Sequence, residues 1–406
     1  MRRVVVTGLG VIAPTGTGVD EFWDSLEAGR SGAKLIEFPG VAPAVLCPIE
    51  GFDPEHWFSR RDARRMDRCG QLAAAAARLA LDDAGGDLGL PPGRVGAAVG
   101  SAHGGAQTLS DAYQAYYERG ADRVSPFAIP LSLTNVAAAS TARALGLRGP
   151  SAAPCTACAA GADAIGTALA LIREDRADAM FAGGADAPLA PVIVAGYRSL
   201  GALASISREP EQASRPFDRD RDGFVMAEGA GILVLEEREH AIRRGARIYA
   251  ELGGYGSSCD AAHLTDPDQT GEGPAVAIRQ ALVDAGVSPE EIGYVNAHAT
   301  STSAGDTAEA RAIVLAGLGQ ALVSSTKAMH GHTMGAAGGV EAIAALMPIV
   351  RGMTPPSVNL DAPDDESSLD FVVEGAREIQ TDATLSNSFG FGGQNACLVL
   401  GGPPEA

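Results

Sequence analysis

The chain has 406 residues, of which 46% are hydrophobic and 20% are charged, a composition that argues against intrinsic disorder. Its formal net charge is −19, the opposite of the balance expected for a nucleic-acid-binding protein, so nucleic acid is excluded as a partner. The length is sufficient for two packed halves with a sizeable core.

The first predicted element is a β-strand within the N-terminal stretch MRRVVVTGLGVIAP. Two arginines followed by apolar residues resemble the start of a signal peptide, but Gly8, Gly10 and Pro14 interrupt the short apolar part. No apolar run reaches about 18 residues without a charge, so we expect no transmembrane helix and no membrane partner. The six cysteines are spread along the chain, which predicts free thiols and a cytoplasmic location.

The same stretch contains a possible nucleotide-binding fingerprint. GLGVIA at residues 8–13 matches the pattern G-x-G-x-x-A after a strand. A functional fingerprint opens a helix whose N-terminus holds the pyrophosphate, whereas Pro14 and Gly16 disfavour a helix here. We therefore interpret the motif as a tight turn after the first strand and expect no nucleotide.

Predicted strands and helices then alternate along the chain. The first half has strands at 4–13, 95–102, 177–186 and 229–237, helices at 19–29, 71–85 and 158–175, and a loop-rich stretch up to residue 150. After residue 247 the rhythm restarts, with a strand at 294–300, helices at 275–286, 306–317 and 336–350, and further segments at 248–258, 323–328 and 383–402. This alternation predicts an α/β fold with largely parallel pairing, made of two similar halves at 1–247 and 248–406.

Two cysteines stand close together in CTACAAG, where Cys155 and Cys158 form a C-x-x-C pair. A structural zinc site needs four ligands, but the sequence has no second C-x-x-C, and His330 and His332 are only two residues apart. The flanking residues also lack the basic or aromatic character of a redox pair. We therefore expect neither a metal nor a redox role for this pair.

Cys158 stands at the first turn of a predicted helix. The positive end of the helix dipole favours a thiolate at that place. The small residues that follow, Ala159, Ala160 and Gly161, leave space for a bound group. Taken alone, however, a cysteine in this position is more simply explained as a small buried hydrophobe.

Two of the seven histidines change that balance. His298 follows a strand in NAHATSTSAGDTAE, and His332 precedes a helix in SSTKAMHGHTMGAAGG, five residues after Lys327. Both segments are rich in small residues and lie at strand ends, where α/β proteins place their sites. One cysteine with two separated histidines is a pattern used in thiol catalysis.

Five separated motifs make the sequence resemble the β-ketoacyl-acyl-carrier-protein synthases of the elongating, thiolase-fold type, over essentially the whole chain. The motifs are TACAAG around Cys158, RDGFVMAEGAG at 221–231, NAHATSTSAGD around His298, SSTKAMHGH around Lys327 and His332, and NSFGFGGQN at 387–395. The resemblance implies a thiolase-like five-layer α-β-α-β-α fold of two duplicated halves. The first half would carry the nucleophile, the second the two histidines, and the protein would form a tight dimer.

The resemblance also implies the reaction, a decarboxylative Claisen condensation. Cys158 would attack an acyl thioester and hold the acyl chain, and the enolate left when a malonyl thioester loses CO₂ would attack that chain. His298 and His332 would act as neutral donors to the enolate, and Lys327 would hold the histidine region electrostatically. No cofactor is implied, because the substrates arrive on the phosphopantetheine of acyl carrier protein.

The remaining site residues rest on the resemblance as well. The backbone N–H groups of Cys158 and Phe391 would form the oxyanion hole. Phe391, flanked by glycines that permit motion, would also be the gate between the two half-reactions. Thr300 and Thr302 resemble the contacts of the family to the pantetheine arm.

An arginine-rich stretch is the predicted docking surface for acyl carrier protein. Residues 59–68, SRRDARRMDR, hold five arginines against two aspartates, and their spacing predicts a helix with an arginine-rich face. An acidic carrier protein needs such a local basic patch, because this chain is itself acidic. The resemblance favours Arg61, Arg64 and Arg65, with Arg208 as a weaker candidate, and the alternative is an ordinary solvated surface helix.

Other members of the fold are less compatible with the residues present. Non-catalytic chain-length partner subunits carry another residue, often Gln, in place of the nucleophile, whereas this chain has Cys158. Degradative thiolases use a second cysteine near the C-terminus, but Cys397 in QNACLVL is typical of a strand interior. Starter-unit synthases use a His/Asn pair, which the second histidine, His332, disfavours.

The pathway is less constrained than the reaction. Housekeeping fatty-acid synthases commonly have TACTSG where this chain has TACAAG, and the segment 310–323 is shorter than usual. These departures favour the ketosynthase of a type II polyketide system, with fatty-acid elongation as the alternative. Such ketosynthases commonly pair with a chain-length partner, so we expect either a homodimer or a heterodimer with a homologous chain-length partner.

Overall fold

The computed structural model describes residues 2–364 and 368–401, so Gly402 of the predicted closing segment lies outside the described residues. The strands are β1 Val4–Ala13, β2 Gly16–Thr17, β3 Lys34–Phe38, β4 Val41–Cys47, β5 Val95–Gly100, β6 Ser151–Ala152, β7 Ala179–Asp186, β8 Met226–Ala227, β9 Gly229–Glu237, β10 Ala250–Cys259, β11 Ile292–Asn296, β12 Leu322–Ser324, β13 Met353–Thr354, β14 Asp370–Phe371, β15 Arg377–Glu378, β16 Ala383–Gly390 and β17 Gln394–Gly401. The helices are α1 Val19–Glu27, α2 Arg60–Ala63, α3 Arg68–Asp83, α4 Ala106–Arg119, α5 Ala128–Ser132, α6 Val136–Leu145, α7 Ala160–Arg173, α8 Pro191–Ser199, α9 Arg238–Arg243, α10 Glu272–Ala285, α11 Ser303–Leu315, α12 Lys327–His330 and α13 Ala337–Arg351.

The main sheet repeats one topology in its two halves. In the first half the strand order is β1-β9-β7-β5-β6, and in the second it is β10-β17-β16-β11-β12. Counted along the chain, each half therefore places its five strands in the spatial order first, fifth, fourth, second, third. β1 pairs with β10 and joins the two halves, and β14 extends the second half beside β12. A repeated strand order of this kind is what duplication of one half produces.

Strand pairing is mixed, which corrects the expectation of largely parallel pairing. In each half the first strand is antiparallel to the fifth and the fifth is antiparallel to the fourth, while the other two pairs are parallel. β16 and β17 are joined by residues 391–393 alone, and strands joined by so short a turn can pair only antiparallel. The alternation of strands and helices in the sequence does not reveal this hairpin.

Helices cover both faces of each half-sheet and complete the predicted five layers. α3 and α6 pack on the outer face of the first half, and α10 and α11 pack on the outer face of the second. α7 and α13 lie between the halves, where their small apolar residues pack against both. A Cβ at Gly338 of α13 would lie 2.2 Å from the backbone nitrogen of Ala162 in α7, so glycine permits the close contact of these central helices.

The GLGVIA motif lies inside β1, which corrects its interpretation as a turn. A Cβ at Gly8 would lie 2.2 Å from the carbonyl oxygen of Ala80, and a Cβ at Gly10 would lie 1.9 Å from that of Ala76. Both contacts are with α3, so the glycines allow this helix to pack closely on the strand. The segment that follows β1 is the short strand β2, which offers no helix N-terminus to a pyrophosphate.

The stretch up to residue 150 contains α4, α5 and α6, so the expectation that it is loop-rich is wrong. Most of α4 is exposed, and its buried residues are Ala106 and Ala115. α8, which the sequence analysis also leaves out, buries Val194. Helices that bury so little lack a strong apolar stripe at 3.6-residue spacing, which is the signal that a sequence-based prediction depends on.

One apolar segment, Met334–Arg351, is long and apolar enough to span a membrane by length and composition alone. It includes α13, and 83% of it is buried inside the molecule. Its one acidic residue, Glu341, is fully buried and forms an ion pair with Lys327. These contacts identify the segment as a core helix between the two half-sheets.

Candidate active site

Sequence-predicted residues from separate segments line one cavity of about 250 Å³. They are Cys158, His298, Thr300, Thr302, His332 and Phe391. Lys327 lies behind this surface and is almost completely buried. The structure therefore brings the predicted catalytic and pantetheine-binding side chains together. The first and last of them in the sequence, Cys158 and Phe391, are more than 200 residues apart.

Cys158 lies in a short 3-10 turn, residues 157–159, that runs directly into α7. Ala157 has a φ of 50°, in the left-handed region that is costly for a residue with a Cβ. The hydroxyl of Thr156 donates to Asp163 on α7, and the Thr156 carbonyl accepts a backbone hydrogen bond within the turn. This strained but fixed turn places the thiol at the start of the helix, as predicted.

The protonation state of the Cys158 thiol differs from the expectation. Burial raises its pKa to about 12, although the Lys327 ammonium and the backbone N–H of Phe391 act in the opposite direction. The loss of hydration therefore outweighs the stabilisation of a thiolate by the nearby cation and by the backbone N–H. The resting thiol is neutral, and it needs a proton acceptor when it attacks a thioester.

His332 is placed to be that acceptor, because its Nε2 is 3.1 Å from Sγ of Cys158. Its backbone N–H donates to the carbonyl of Val225, and its carbonyl accepts from the N–H of Ala227. These two bonds explain why the RDGFVMAEGAG segment belongs to the site. Burial first, and then the charge of Lys327, hold the pKa of His332 well below its usual range, so the imidazole is neutral.

His298 stands almost perpendicular to His332, with ring centroids 5.4 Å apart. Its Nδ1 faces the ammonium of Lys327 at 3.4 Å. An ammonium group donates and cannot accept, so Nδ1 must supply a lone pair, and the proton of the neutral ring is assigned to Nε2. Burial, followed by the charge of Lys327, lowers the pKa of His298 well below its usual range. His298 therefore presents an N–H donor to the cavity.

Two buried glutamates that the sequence analysis does not single out support these groups. Glu341 on α13 forms the ion pair with Lys327. Glu309 on α11 accepts from the backbone N–H groups of His298 and of the next residue, at 2.8 and 2.6 Å, and from the amide of Asn387 at 2.9 Å. Burial raises the pKa of both glutamates to about 7. Glu341 was detectable in principle, since it is a single acid in the apolar helix AAGGVEAIAALMPIV.

Phe391 approaches Cys158 through the turn that joins β16 and β17. Its backbone N–H lowers the pKa of the Cys158 thiol, which indicates that the N–H lies close to Sγ. Gly390 permits this approach, because a Cβ there would lie 2.6 Å from the Thr156 carbonyl oxygen and 3.2 Å from the Cys158 nitrogen. The two predicted oxyanion donors, Cys158 N–H and Phe391 N–H, thus belong to segments that meet at the thiol, and their role as an oxyanion hole stays a prediction.

The two threonines lie on the wall of the same cavity. Their hydroxyl oxygens, Oγ1 of Thr300 and Oγ1 of Thr302, are 3.1 Å apart and form one polar patch. Thr302 is the residue that precedes α11, and Thr300 follows His298 by two positions. Such a patch can hold the amide groups of a pantetheine arm while the thioester reaches Cys158.

The other cysteines stand apart from this chemistry. Cys155 is exposed, and its sulfur is 3.8 Å from the carbonyl oxygen of Ala102. Cys397 is buried in β17 with its sulfur 3.2 Å from Oδ1 of Asn387, as expected for a strand interior.

A metal-binding role for the site has little support. Among the described residues, the potential metal ligands that cluster are Cys158, His298 and His332, within 4.8 Å of one another. Three ligands are fewer than a structural zinc site uses, although a catalytic zinc site has three protein ligands and a water. The ammonium of Lys327, 3.4 Å from His298, also opposes a second cation at this place.

The arginine-rich stretch does not form the single helix predicted for it. α2 ends at Ala63, and Asp67 caps a second helix, α3, by accepting from a backbone N–H. Arg68, the first residue of α3, turns inward and pairs with Glu228. The predicted docking residues nevertheless remain wholly or partly exposed: Arg61, Arg64, Arg65 and Arg208.

Comparison with known families gives two matches that together cover most of the chain. Residues 1–241 match the family described as Beta-ketoacyl synthase, N-terminal domain. Residues 249–361 match the family described as Beta-ketoacyl synthase, C-terminal domain.

Curated relatives match over their full length. A protein of Vibrio cholerae named 3-oxoacyl-[acyl-carrier-protein] synthase 2 is 46% identical, with 98% of this chain and 99% of that protein covered. A protein of the same name from Synechocystis is 44% identical, with 98% of each chain covered.

Solved structures superpose on the whole chain. The ishigamide ketosynthase/chain length factor has a TM-score of 0.92 at 39% identity, covering 99% of this chain and 100% of that one. A type II polyketide synthase acyl-carrier protein in complex with its ketosynthase bound to the hexaketide has a TM-score of 0.91 at 35% identity, with the same coverage. The predicted fold class is confirmed by these superpositions.

Proposed function

The chain belongs to the β-ketoacyl synthase family, and from this membership we propose that it condenses malonyl-acyl carrier protein, with loss of CO₂, onto an acyl chain held on Cys158. It is thus an acyltransferase of the 3-oxoacyl-acyl-carrier-protein synthase type. The observation that supports this most directly is the 3.1 Å contact of the Cys158 thiol with His332, in the same cavity as His298. A non-catalytic partner subunit would have no use for a thiol in this place.

In the first step, Sγ of Cys158 attacks the carbonyl carbon of an acyl thioester. The thiol proton passes to Nε2 of His332 as the new C–S bond forms. The negative oxygen of the tetrahedral intermediate is held by the N–H groups of Cys158 and Phe391. The pantetheine C–S bond then breaks, and the leaving sulfur takes the proton and departs as a thiol.

In the second step, a malonyl thioester occupies the cavity with its pantetheine arm along Thr300 and Thr302. The bond between the carboxylate carbon and the α-carbon breaks, CO₂ leaves, and the electron pair forms an enolate. Nε2–H of His298 donates to the enolate oxygen, and so does His332 in the neutral tautomer that carries its proton on Nε2. The α-carbon attacks the acyl carbon on Cys158, the C–S bond breaks, and Sγ takes up one proton from solvent to regenerate the thiol.

Neither step needs a metal or a separate cofactor, because the thioesters, the thiol and neutral donors supply every bond change. After dialysis against a chelator, the protein should still convert acyl- and malonyl-loaded carrier protein into β-ketoacyl-carrier protein, with one CO₂ released per product. Product mass and trapped CO₂ measure this directly. Activity lost on dialysis and restored by zinc would contradict it, and absence of product under every condition would sink the proposed function.

The pathway proposal is the ketosynthase of a type II polyketide system. It rests on TACAAG at the nucleophile and on whole-chain similarity to ketosynthases of such systems. Housekeeping fatty-acid elongation is the second candidate, favoured by the 46% identity to a protein named 3-oxoacyl-[acyl-carrier-protein] synthase 2. A neighbouring gene for a similar chain without the nucleophile would favour the first candidate.

The assembly proposed here is a cytoplasmic dimer that works with acyl carrier protein. The partner is either a second copy or a homologous chain-length subunit, as in the solved ketosynthase/chain length factor. Within each chain, residues 1–247 form the half with the nucleophile and residues 248–406 the half with the two histidines. The division falls between α9 and β10.

Carrier-protein docking is proposed at the exposed arginines of the 59–68 stretch. Replacing Arg61, Arg64 and Arg65 together by glutamate should raise KM for carrier-protein substrates at least about tenfold, because attraction becomes repulsion. Pantetheine thioesters make no such contact, so their KM should change little. The wild-type KM for carrier protein should also rise with added salt, since exposed charges are screened over about 10 Å at 0.1 M.

A matched control separates docking from net charge. Arg148, Arg176 and Arg243 are exposed elsewhere, and their combined replacement by glutamate changes the charge equally. This control should leave KM for carrier protein near the wild-type value at the same salt. If the docking variant lost activity equally on carrier-protein and pantetheine substrates, the stretch would serve folding and not recognition.

A further inference from the structure

A polar pair interrupts the wall of the cavity that holds Cys158. Tyr197 on α8 lines the cavity, and its hydroxyl is 3.0 Å from Nε2 of His103. The two rings meet edge to face with centroids 5.8 Å apart. Neither residue takes part in the acylation and condensation steps above, so the pair needs its own explanation.

The surroundings of Tyr197 are otherwise apolar. It packs against the cluster of buried side chains that contains Cys158, Val194, Phe224 and Met334. Its ring centroid is 5.4 Å from that of Phe224. A hydroxyl in such surroundings loses its hydration, a cost that phenylalanine would avoid. His103 offsets part of that cost, and the hydroxyl remains a polar group in an otherwise apolar part of the wall, able to bind a polar group that enters the cavity.

His103 is held in place by a buried carboxylate. Asp186 accepts hydrogen bonds from three backbone N–H groups, including that of His103, and from the hydroxyl of Ser101. One of its oxygens is 3.7 Å from Nδ1 of His103. The carboxylate favours a proton on Nδ1, which leaves Nε2 to accept from the Tyr197 hydroxyl. The direction of this hydroxyl is therefore set by groups outside the cavity.

The pair lies near the reacting sulfur. Tyr197 and Cys158 line the same cavity, and Tyr197 packs against the apolar cluster that contains Cys158. In a chain bound to Sγ as a thioester, the β-carbon is only two carbons beyond the carbonyl. A substituent on that carbon therefore stays close to the sulfur, in the cavity whose wall includes both Cys158 and Tyr197.

We propose that Tyr197 and His103 form a specificity site for an oxygen on the β-carbon of the acyl chain bound to Cys158. The Tyr197 hydroxyl donates to that oxygen while still sharing its hydrogen with Nε2 of His103, as a three-centre hydrogen bond. A fully reduced chain offers no acceptor there. The substrate class is a β-oxygenated acyl thioester, the product of extension without complete reduction. The inference rests on the proposed condensing function and specifies its substrate.

The test compares two pantetheine thioesters, hexanoyl and 3-oxohexanoyl, as acyl donors to Cys158. Intact-protein mass spectrometry gives the second-order acylation rate constant for each, and the readout is the 3-oxo to saturated ratio. Tyr197→Phe should lower this ratio about fivefold, the effect of one net hydrogen bond. Because both rates come from one preparation, a loss of folded protein cancels. Tyr113→Phe, an exposed tyrosine of α4, is the matched control and should leave the ratio unchanged.

Variants of His103 test whether the hydroxyl needs its partner. His103→Leu should also lower the ratio, whereas His103→Gln should retain part of it, because an amide oxygen can still accept from Tyr197. An unchanged ratio in both Tyr197→Phe and His103→Leu would overturn the proposal. That outcome is distinct from failure of the proposed function, in which wild-type protein would form no Cys158 adduct with either thioester.

Discussion

Replacement of Cys158 by alanine is expected to abolish the acyl-enzyme and to lower condensation at least about 10⁴-fold. The sulfur lies 3.1 Å from Nε2 of His332, which can accept its proton, and the N–H of Phe391 favours its thiolate form. Incubation with an acyl-loaded carrier protein, followed by peptide mass spectrometry, locates the adduct. The rate of β-ketoacyl product measures the loss.

Cys155→Ala is the matched control for this experiment. Cys155 belongs to the same short segment, but it is exposed and its sulfur contacts a backbone carbonyl, with no histidine as partner in the described structure. Its replacement should therefore leave acylation at Cys158 and product formation near wild-type rates. An adduct on Cys155, or full condensation by the Cys158→Ala variant, would refute the assignment of the nucleophile.

The place of Cys158 at a helix start could be predicted from sequence, because a local signal indicates it, whereas its role as nucleophile depends on the resemblance and stays a prediction. Small residues before an apolar helix identify the helix start, and the structure places Cys158 in the turn that runs into α7. Its protonation state could not be predicted in the same way. The pKa depends on how completely the thiol is removed from water, and that burial comes from distant segments such as Phe224 and Met334.

The supporting carboxylates show the same division between local and tertiary information. Glu309 and Glu341 act on the histidine region through contacts that join α11 and α13 to other segments. A single acid in an apolar helix signals a buried partner, yet the sequence does not say that the partner is Lys327. Likewise, the arginine spacing at 59–68 predicts one helix, but Asp67 begins a new one because its side chain caps a backbone N–H.

His298 and His332 should prove most important for decarboxylation. Single alanine variants are expected to release CO₂ from malonyl-carrier protein about 10²–10³-fold more slowly, because each removes a donor to the developing enolate oxygen. Acylation should be affected less in His298→Ala, because His298 makes no hydrogen bond to the thiol. His332→Ala should slow acylation as well, because it removes the proton acceptor 3.1 Å from Sγ. Trapped CO₂ and the rate of adduct formation on Cys158 measure the two steps separately.

Two further variants distinguish donation from support of the fold. His298→Gln should recover part of the CO₂ release lost in His298→Ala, because its amide N–H can reach the cavity, whereas a purely structural defect would not follow donor capacity. His56 is exposed and lies outside both histidine motifs. The His56→Ala variant should therefore release CO₂ at the wild-type rate. Unchanged CO₂ release in His298→Ala or His332→Ala would remove that histidine from the decarboxylation step. The Lys327 ammonium faces Nδ1 of His298 and so places the ring proton on Nε2. This tautomer matters for the reaction only if Nε2–H donates to the enolate. Unchanged CO₂ release in both alanine variants would therefore also remove the functional role assigned to Lys327.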